Sequence, residues 1–197
     1  MIIKTDRYRH RYTVGEMYRV LLAVISSIGI LKRNRKDEIV DAQFIERLML
    51  AVTEVNGCAL CSYAHAKMAL EGGFSEEEVA SFLSGSDTFV KAEEATAILF
   101  AQSYADSAGV LDEEQYERVV AEYGKERSEV ILAAIRAMMG GNVIGLPYSA
   151  LQSRFKAKVR YANSSLLYEV GMSLAPLVLI PVALLHHLAG WIVSLFH

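Results

Sequence analysis

Proline is absent from most of this 197-residue chain. All three prolines, Pro147, Pro176 and Pro181, fall in the last quarter, so everything before them is free of the strongest helix breaker. Cysteine is scarce as well: only Cys58 and Cys61 are present, which excludes the disulfide scaffold of small secreted domains. Neither sign of charge dominates, with 20 Lys and Arg against 23 Asp and Glu. The basic excess of a nucleic-acid binder is therefore missing. Met1–Tyr12 is polar and basic, and no small-residue cleavage site follows the next apolar stretch. No signal peptide is expected on that basis, and a cytoplasmic location is the default expectation. Most conspicuously, Val170–His197 contains no Asp, Glu, Lys or Arg.

What is present is apolar and helical. Hydrophobic residues make up 53% of the chain, above the roughly 45–50% apolar content of ordinary soluble proteins. The excess persists when the 10 Tyr are replaced in the count by the 13 Gly. Disorder is excluded, and a large subunit interface or a membrane contact is expected. The length suits one domain, 1–197, with a motif-bearing core at 37–141 and apolar C-terminal helices at 147–197. Glycines mark breaks at Asn56-Gly57, Gly72-Gly73, Gly85, Gly109, Gly124 and Gly140-Gly141. Between them apolar residues recur at helical spacing, with no β-hairpin signal. The pattern predicts an all-α fold with helices at about 14–31, 37–55, 58–71, 75–84, 88–108, 112–123, 125–140, 147–158 and 163–190. Ser75 with Glu78 reads as a capping box, and Asp37, Asp87 or Thr88, and Asp112 read as further caps. The basic run in 1–36 and the acidic run in 71–94 read as solvated helix faces.

The stretch with chemistry in it is Phe44–Gly73, FIERLMLAVTEVNGCALCSYAHAKMALEGG. Both cysteines lie there as Cys58-Ala-Leu-Cys61, and His65 follows four residues later. On a helix these three positions share a face. The Asn56-Gly57 break makes the cysteines open a new helix, whose free N–H groups and positive dipole end stabilise a thiolate. A neighbouring imidazole adds a proton acceptor, and the combination activates a thiol near neutral pH. Two other readings stand beside this one. The three side chains could ligate zinc, although no fourth ligand has suitable spacing, or the cysteines could be inert core residues. A thioredoxin fold is excluded, because its CxxC sits in a βαβ context.

The same residues resemble the alkylhydroperoxidase D-like group of the carboxymuconolactone decarboxylase superfamily. That pattern is a Glu on an apolar helix ending in Asn-Gly-Cys-x-x-Cys-x-x-x-His, here Glu46, Asn56, Gly57, Cys58, Cys61 and His65. The resemblance implies a small all-helical redox protein assembled as trimers or hexamers. It implies Cys61 as the reactive thiolate, Cys58 as the resolving partner, and Glu46 with His65 as a proton relay, together with a water. Decarboxylase members lack the cysteine pair, so lactone decarboxylation is not expected. The expected activity is a cysteine-based peroxidase, or a thiol–disulfide oxidoreductase serving an oxidised partner. No cofactor is expected. The expected partners are a peroxide substrate, a lipoyl or thioredoxin-like dithiol donor and a peroxiredoxin. The alternative from another class is a non-enzymatic, membrane-associated or oligomeric metal-binding protein using Cys58, Cys61 and His65. Glu54 reads as a solvated or subunit-contact residue rather than a second acid, and Tyr63 as a packing residue.

The uncharged tail is long enough for a bilayer span, and the basic run Arg154–Arg160 lies upstream of it. Pro176, Pro181 and the His186-His187 pair speak against a span. A helix buried in an oligomer gives the same pattern. The expectation is a homo-oligomer with 163–190 covered at least partly by another subunit, with membrane contact through 170–197 as the alternative. Met17–Leu31, which contains Arg19, reads as a core or interface helix too short to span.

Overall fold

The computed structural model describes residues 7–157 and 159–194. Among these the regular structure is helical and no strand occurs. The last residues of the expected apolar tail, 195–197, and Lys158 of the basic run lie outside the described residues.

Helix α1 spans Val14–Asp37. A reciprocal capping box starts it: the Glu16 N–H donates to Thr13 Oγ1 at 3.2 Å, and the Thr13 N–H donates to Glu16 Oε2 at 2.7 Å. This box went unread in the sequence. The helix runs past residue 31 to the left-handed residue Glu38, so its 24 residues are long enough to cross a membrane, contrary to expectation. Asp37 ends α1 rather than starting the next helix. Asn34 bridges the turn through two bonds to the Val40 backbone, at 3.0 and 2.8 Å, and Asp41 caps α2, Ala42–Asn56.

Gly57, at φ +68°, terminates α2, and Cys58 caps α3, Ala59–Glu71. Helix α4, Glu76–Leu83, begins at Ser75 as expected. The helix expected from residue 88 starts later. Ser86 and Thr88 bond to each other in a turn at 2.8 Å, so Thr88 is occupied locally instead of capping. A 3-10 turn, Ala92–Glu94, then leads into α5, Ala95–Asp106.

Asp112 caps α6, Glu113–Gln152, which bends at Gly124 (φ 74°) where a break was expected. No break occurs at Gly140-Gly141, and Pro147 lies inside the helix. The reason is packing. A Cβ on Gly140 would stand 2.7 Å from Val24 Cγ2, so glycine lets α1 and α6 approach closely. A π-helical turn, Ser153–Ala157, ends this element. The tail is two helices, α7 (Leu166–Leu174) and α8 (Pro176–Ser194). Pro176 occupies the first position of α8, where its missing N–H costs no hydrogen bond.

Helix α6 is the hub, packing against α1, α2, α3, α5 and α7. Leu48, Leu50, Ile131, Ile135 and Met139 are fully buried around it, each worth about 1.5–3 kcal/mol on burial. Not all of the acidic run is solvated. Glu94 is buried and grips the buried Arg47 through two bonds at 2.5 and 2.6 Å. Within the basic runs, Arg9 bonds to Glu54 at 2.9 Å, and Arg154 holds the fully buried Glu169 through two bonds at 2.7 Å, tying α7 to the end of α6.

Candidate functional site

The site forms where the start of α3 meets α2 and the middle of α6. Cys58 and Cys61 are bonded to each other, with Cα atoms 5.3 Å apart. Cys58 is completely buried, whereas Cys61 is 7% exposed. As the cap of α3, Cys58 Sγ accepts the N–H of Cys61 at 3.3 Å. The preceding amide, Leu60 N–H, donates to Ser149 Oγ of α6 at 3.3 Å. Cys61 Sγ lies 3.7 Å from the Gly141 carbonyl, within reach for the reduced thiol to donate.

One turn further along α3, His65 Nδ1 meets Glu46 Oε1 of α2 at 2.7 Å. Both side chains are mostly covered yet open to solvent at their edges, at 16% for His65 and 11% for Glu46. The bond fixes the ring, and with Nδ1 donating to the carboxylate, Nε2 is left to exchange protons. The four expected site residues thus form two bonded pairs on two helices: the sulfurs at the start of α3, and, one turn along the same helix, the His65 imidazole held by Glu46 of α2.

Glu54 and Tyr63 do not join them. Glu54 turns to Arg9, whose Nη1 also donates to the Glu54 and Val55 carbonyls at 2.7 and 3.3 Å, closing the end of α2. Tyr63 is 56% exposed. Among the described residues no group of three or more His, Cys, Asp or Glu is arranged to hold a metal ion.

Three supporting residues were not read in the sequence. Gly145 of α6 lies under the disulfide: a Cβ there would stand 2.8 Å from Cys61 Sγ and 2.9 Å from Cys58 Sγ. Ser149, one turn on, is the amide acceptor already described. Tyr12 donates its hydroxyl to Asn56 Oδ1 at 2.8 Å, clamping the Asn-Gly turn that sets the direction of α3. Burial pushes the Tyr12 phenol well above its ordinary value, so it remains a donor. The available signal was the spacing of Gly141 and Gly145, which four residues apart share one helix face.

Residues 30–103 match the family model of the carboxymuconolactone decarboxylase family. The matched segment contains the whole Glu46–His65 constellation, and the alkylhydroperoxidase D-like group is a member of this superfamily. The superfamily resemblance carried by the motif is therefore borne out over this segment. No curated protein gives a significant match to the chain.

Proposed function

We propose that the chain is a thiol–disulfide oxidoreductase that reduces peroxides through a Cys58–Cys61 dithiol–disulfide cycle. The observation that carries this reading is the bonded cysteine pair at the start of α3, one turn from the His65–Glu46 hydrogen bond.

The exposure difference supports the division of labour. Cys61, the more accessible of the two, is the attacking sulfur. His65 accepts its proton, and Glu46 holds the imidazole and balances the charge that develops. The Cys61 thiolate attacks the terminal peroxide oxygen. The O–O bond breaks, Cys61 becomes a sulfenic acid, and the departing alkoxide takes a proton from His65 to leave as alcohol. Cys58 then attacks the Cys61 sulfur, forming the disulfide and releasing water. The Cys61 N–H directed at Cys58 Sγ favours the thiolate needed for that attack.

The same hydrogen bond serves the reductive half. A dithiol donor of the lipoyl or thioredoxin-like class attacks the accessible Cys61 sulfur, and Cys58 leaves as a thiolate held by that N–H. A better-stabilised leaving thiolate departs faster. The donor's second thiol releases Cys61, so two electrons pass from the dithiol to the peroxide. Reduction of an oxidised peroxiredoxin partner would use the same two sulfurs.

The test counts thiols on the reduced protein before and after stoichiometric peroxide. Loss of two thiols per chain, two hydrogens lost by mass, and restoration by a dithiol are expected. Both thiols persisting through peroxide treatment, with zinc bound near one per chain, would establish the metal-binding alternative instead.

A further inference from the structure

Helix α8 has no counterpart in the redox chemistry, and its surface is unusual. An 18-residue window within Leu166–Val193 has a mean hydropathy of 1.8, yet only 11% of that window is buried. The comparable apolar window in α6, with mean hydropathy 1.5, is 78% buried. Two segments of similar composition therefore have opposite surroundings: one is the hub of the core, and the other stands outside it.

The exposure of α8 is not confined to one face. Pro176 and Ala183 are buried, on the side that packs against α1. Leu177 (73% exposed), Val178, Val182, Leu185 (67%), Leu188 and Trp191 (58%) are open. At about 100° per residue these six spread over roughly half of the circumference, and the exposed Val193, His186 and Gly190 fall in most of the remainder. A second copy of the chain would cover one side of such a helix and would meet a polar rim around the contact. Here no charged residue occurs anywhere along α8 to make that rim. Hydrocarbon covers every side at once and needs no rim.

Length and polar accounting agree. The 19 residues of α8 rise about 28 Å, close to the roughly 30 Å hydrocarbon core of a bilayer. Its two histidines, which counted against a span in the sequence, have partners on α1. Tyr18 Oη lies 2.6 Å from His186 Nδ1, and Ser26 Oγ lies 3.3 Å from His187 Nδ1. Polar groups at membrane depth are tolerated when they pair in this way. Ahead of α7, Lys156 and Arg160 are exposed, where cations favour anionic headgroups. The nearest acid, Glu169, is already neutralised by Arg154.

We propose that α8 inserts into the hydrocarbon of a lipid bilayer and so anchors the protein to the membrane. The proposal is independent of the redox reading. Trp191 is the only tryptophan in the chain, so it reports on α8 alone. The full chain is mixed with vesicles of phosphatidylcholine and phosphatidylglycerol, with and without bromine on the acyl chains, and then floated on a density gradient. Co-flotation, a blue shift of Trp191 emission and quenching by the brominated acyl chains are expected. Leu185→Glu, at an exposed position that the fold does not use, should weaken partitioning on the order of 10²-fold while leaving the helical signal intact. Wild-type protein that stays at the bottom of the gradient with Trp191 unquenched overturns the proposal. It is overturned equally whether light scattering then finds a monomer or an assembly that covers α8 with a second copy.

Discussion

Gly145→Ala is the sharpest perturbation the site offers, because it adds one methyl group against both sulfurs and removes no side chain. The new Cβ would lie 2.8 Å from Cys61 Sγ and 2.9 Å from Cys58 Sγ. An ordinary carbon–sulfur contact is longer by most of an ångström, so one side must move. Overpacking of this kind costs about 1–3 kcal/mol. In the disulfide both sulfurs are tied, and relief has to come from shifting α3 or α6. In the dithiol the partly exposed Cys61 can rotate toward solvent. The methyl therefore penalises the oxidised state more than the reduced one.

For a two-electron couple about 1.4 kcal/mol corresponds to roughly 30 mV. The variant should accordingly be about 20–60 mV more oxidising than the parent. The assay is equilibration against a dithiol buffer series, followed by alkylation and counting of free thiols. Gly141→Ala is the control on the same helix face. Its Cβ would meet only Met138 Cε at 4.0 Å, so its potential should match the wild type. A Gly145→Ala potential within a few millivolts of wild type, or a shift to more reducing values, refutes the claim that this glycine makes room for the disulfide.

Four further outcomes follow from the same geometry. Cys61→Ser should abolish peroxide turnover, whereas Cys58→Ser should react once and stop as a sulfenic acid or mixed disulfide. Faster alkylation of Cys58 than of Cys61 in the reduced wild type would reverse the assignment. Glu46→Gln and His65→Gln should each slow peroxide reduction, on the order of 10²–10⁴-fold, with circular dichroism unchanged. Wild-type rates in both would remove the relay. Tyr12→Phe leaves the buried Asn56 Oδ1 without its donor and should cost about 1–3 kcal/mol of stability by denaturant melt. An unchanged midpoint would show that the hydrogen bond does not clamp the turn. Finally, burial raises the folded-state pKa of Tyr12 above its unfolded value near 10. Its contribution is therefore complete below about pH 10 and is lost as the pH rises beyond it, so the alkaline unfolding limb should flatten in Tyr12→Phe.

The redox constellation was legible because its members are local. Cys58, Cys61 and His65 lie within eight residues, and helical periodicity alone puts them on one face. Glu46 is reached across a single turn set by Asn56-Gly57. The residues that went unread lie on the opposite wall. Gly145 and Ser149 act on the sulfurs and on the first turn of α3 from α6, more than 80 residues away in sequence. Tyr12 reaches Asn56 from before α1. Nothing local in the sequence distinguishes such a tyrosine from an ordinary surface aromatic.

The same distinction between local and tertiary causes accounts for where the helix boundaries differ. Glycine and proline at 140, 141 and 147 are local breakers, and by propensity they end a helix. In the fold, Gly140 admits Val24 and Gly145 admits the disulfide. Helix α6 thus continues through them because α1 and α3 pack on it there. Gly124 has no such neighbour within 4 Å of its Cβ position, and there the local preference prevails and the helix bends. Apolar composition is ambiguous in the same way. The α6 and α8 windows differ little in hydropathy, and the sequence alone did not say which would be surrounded by protein. Charged and polar flanks carry that information only in part: α8 lacks charge altogether, yet an interior helix could lack it too. What separates them is that α6 has neighbours on five helices, while α8 has α1 and α7 as neighbours and open apolar side chains elsewhere. A helix with that surface must be covered by something other than its own chain, and its uncharged, 19-residue length fits the thickness of a bilayer core.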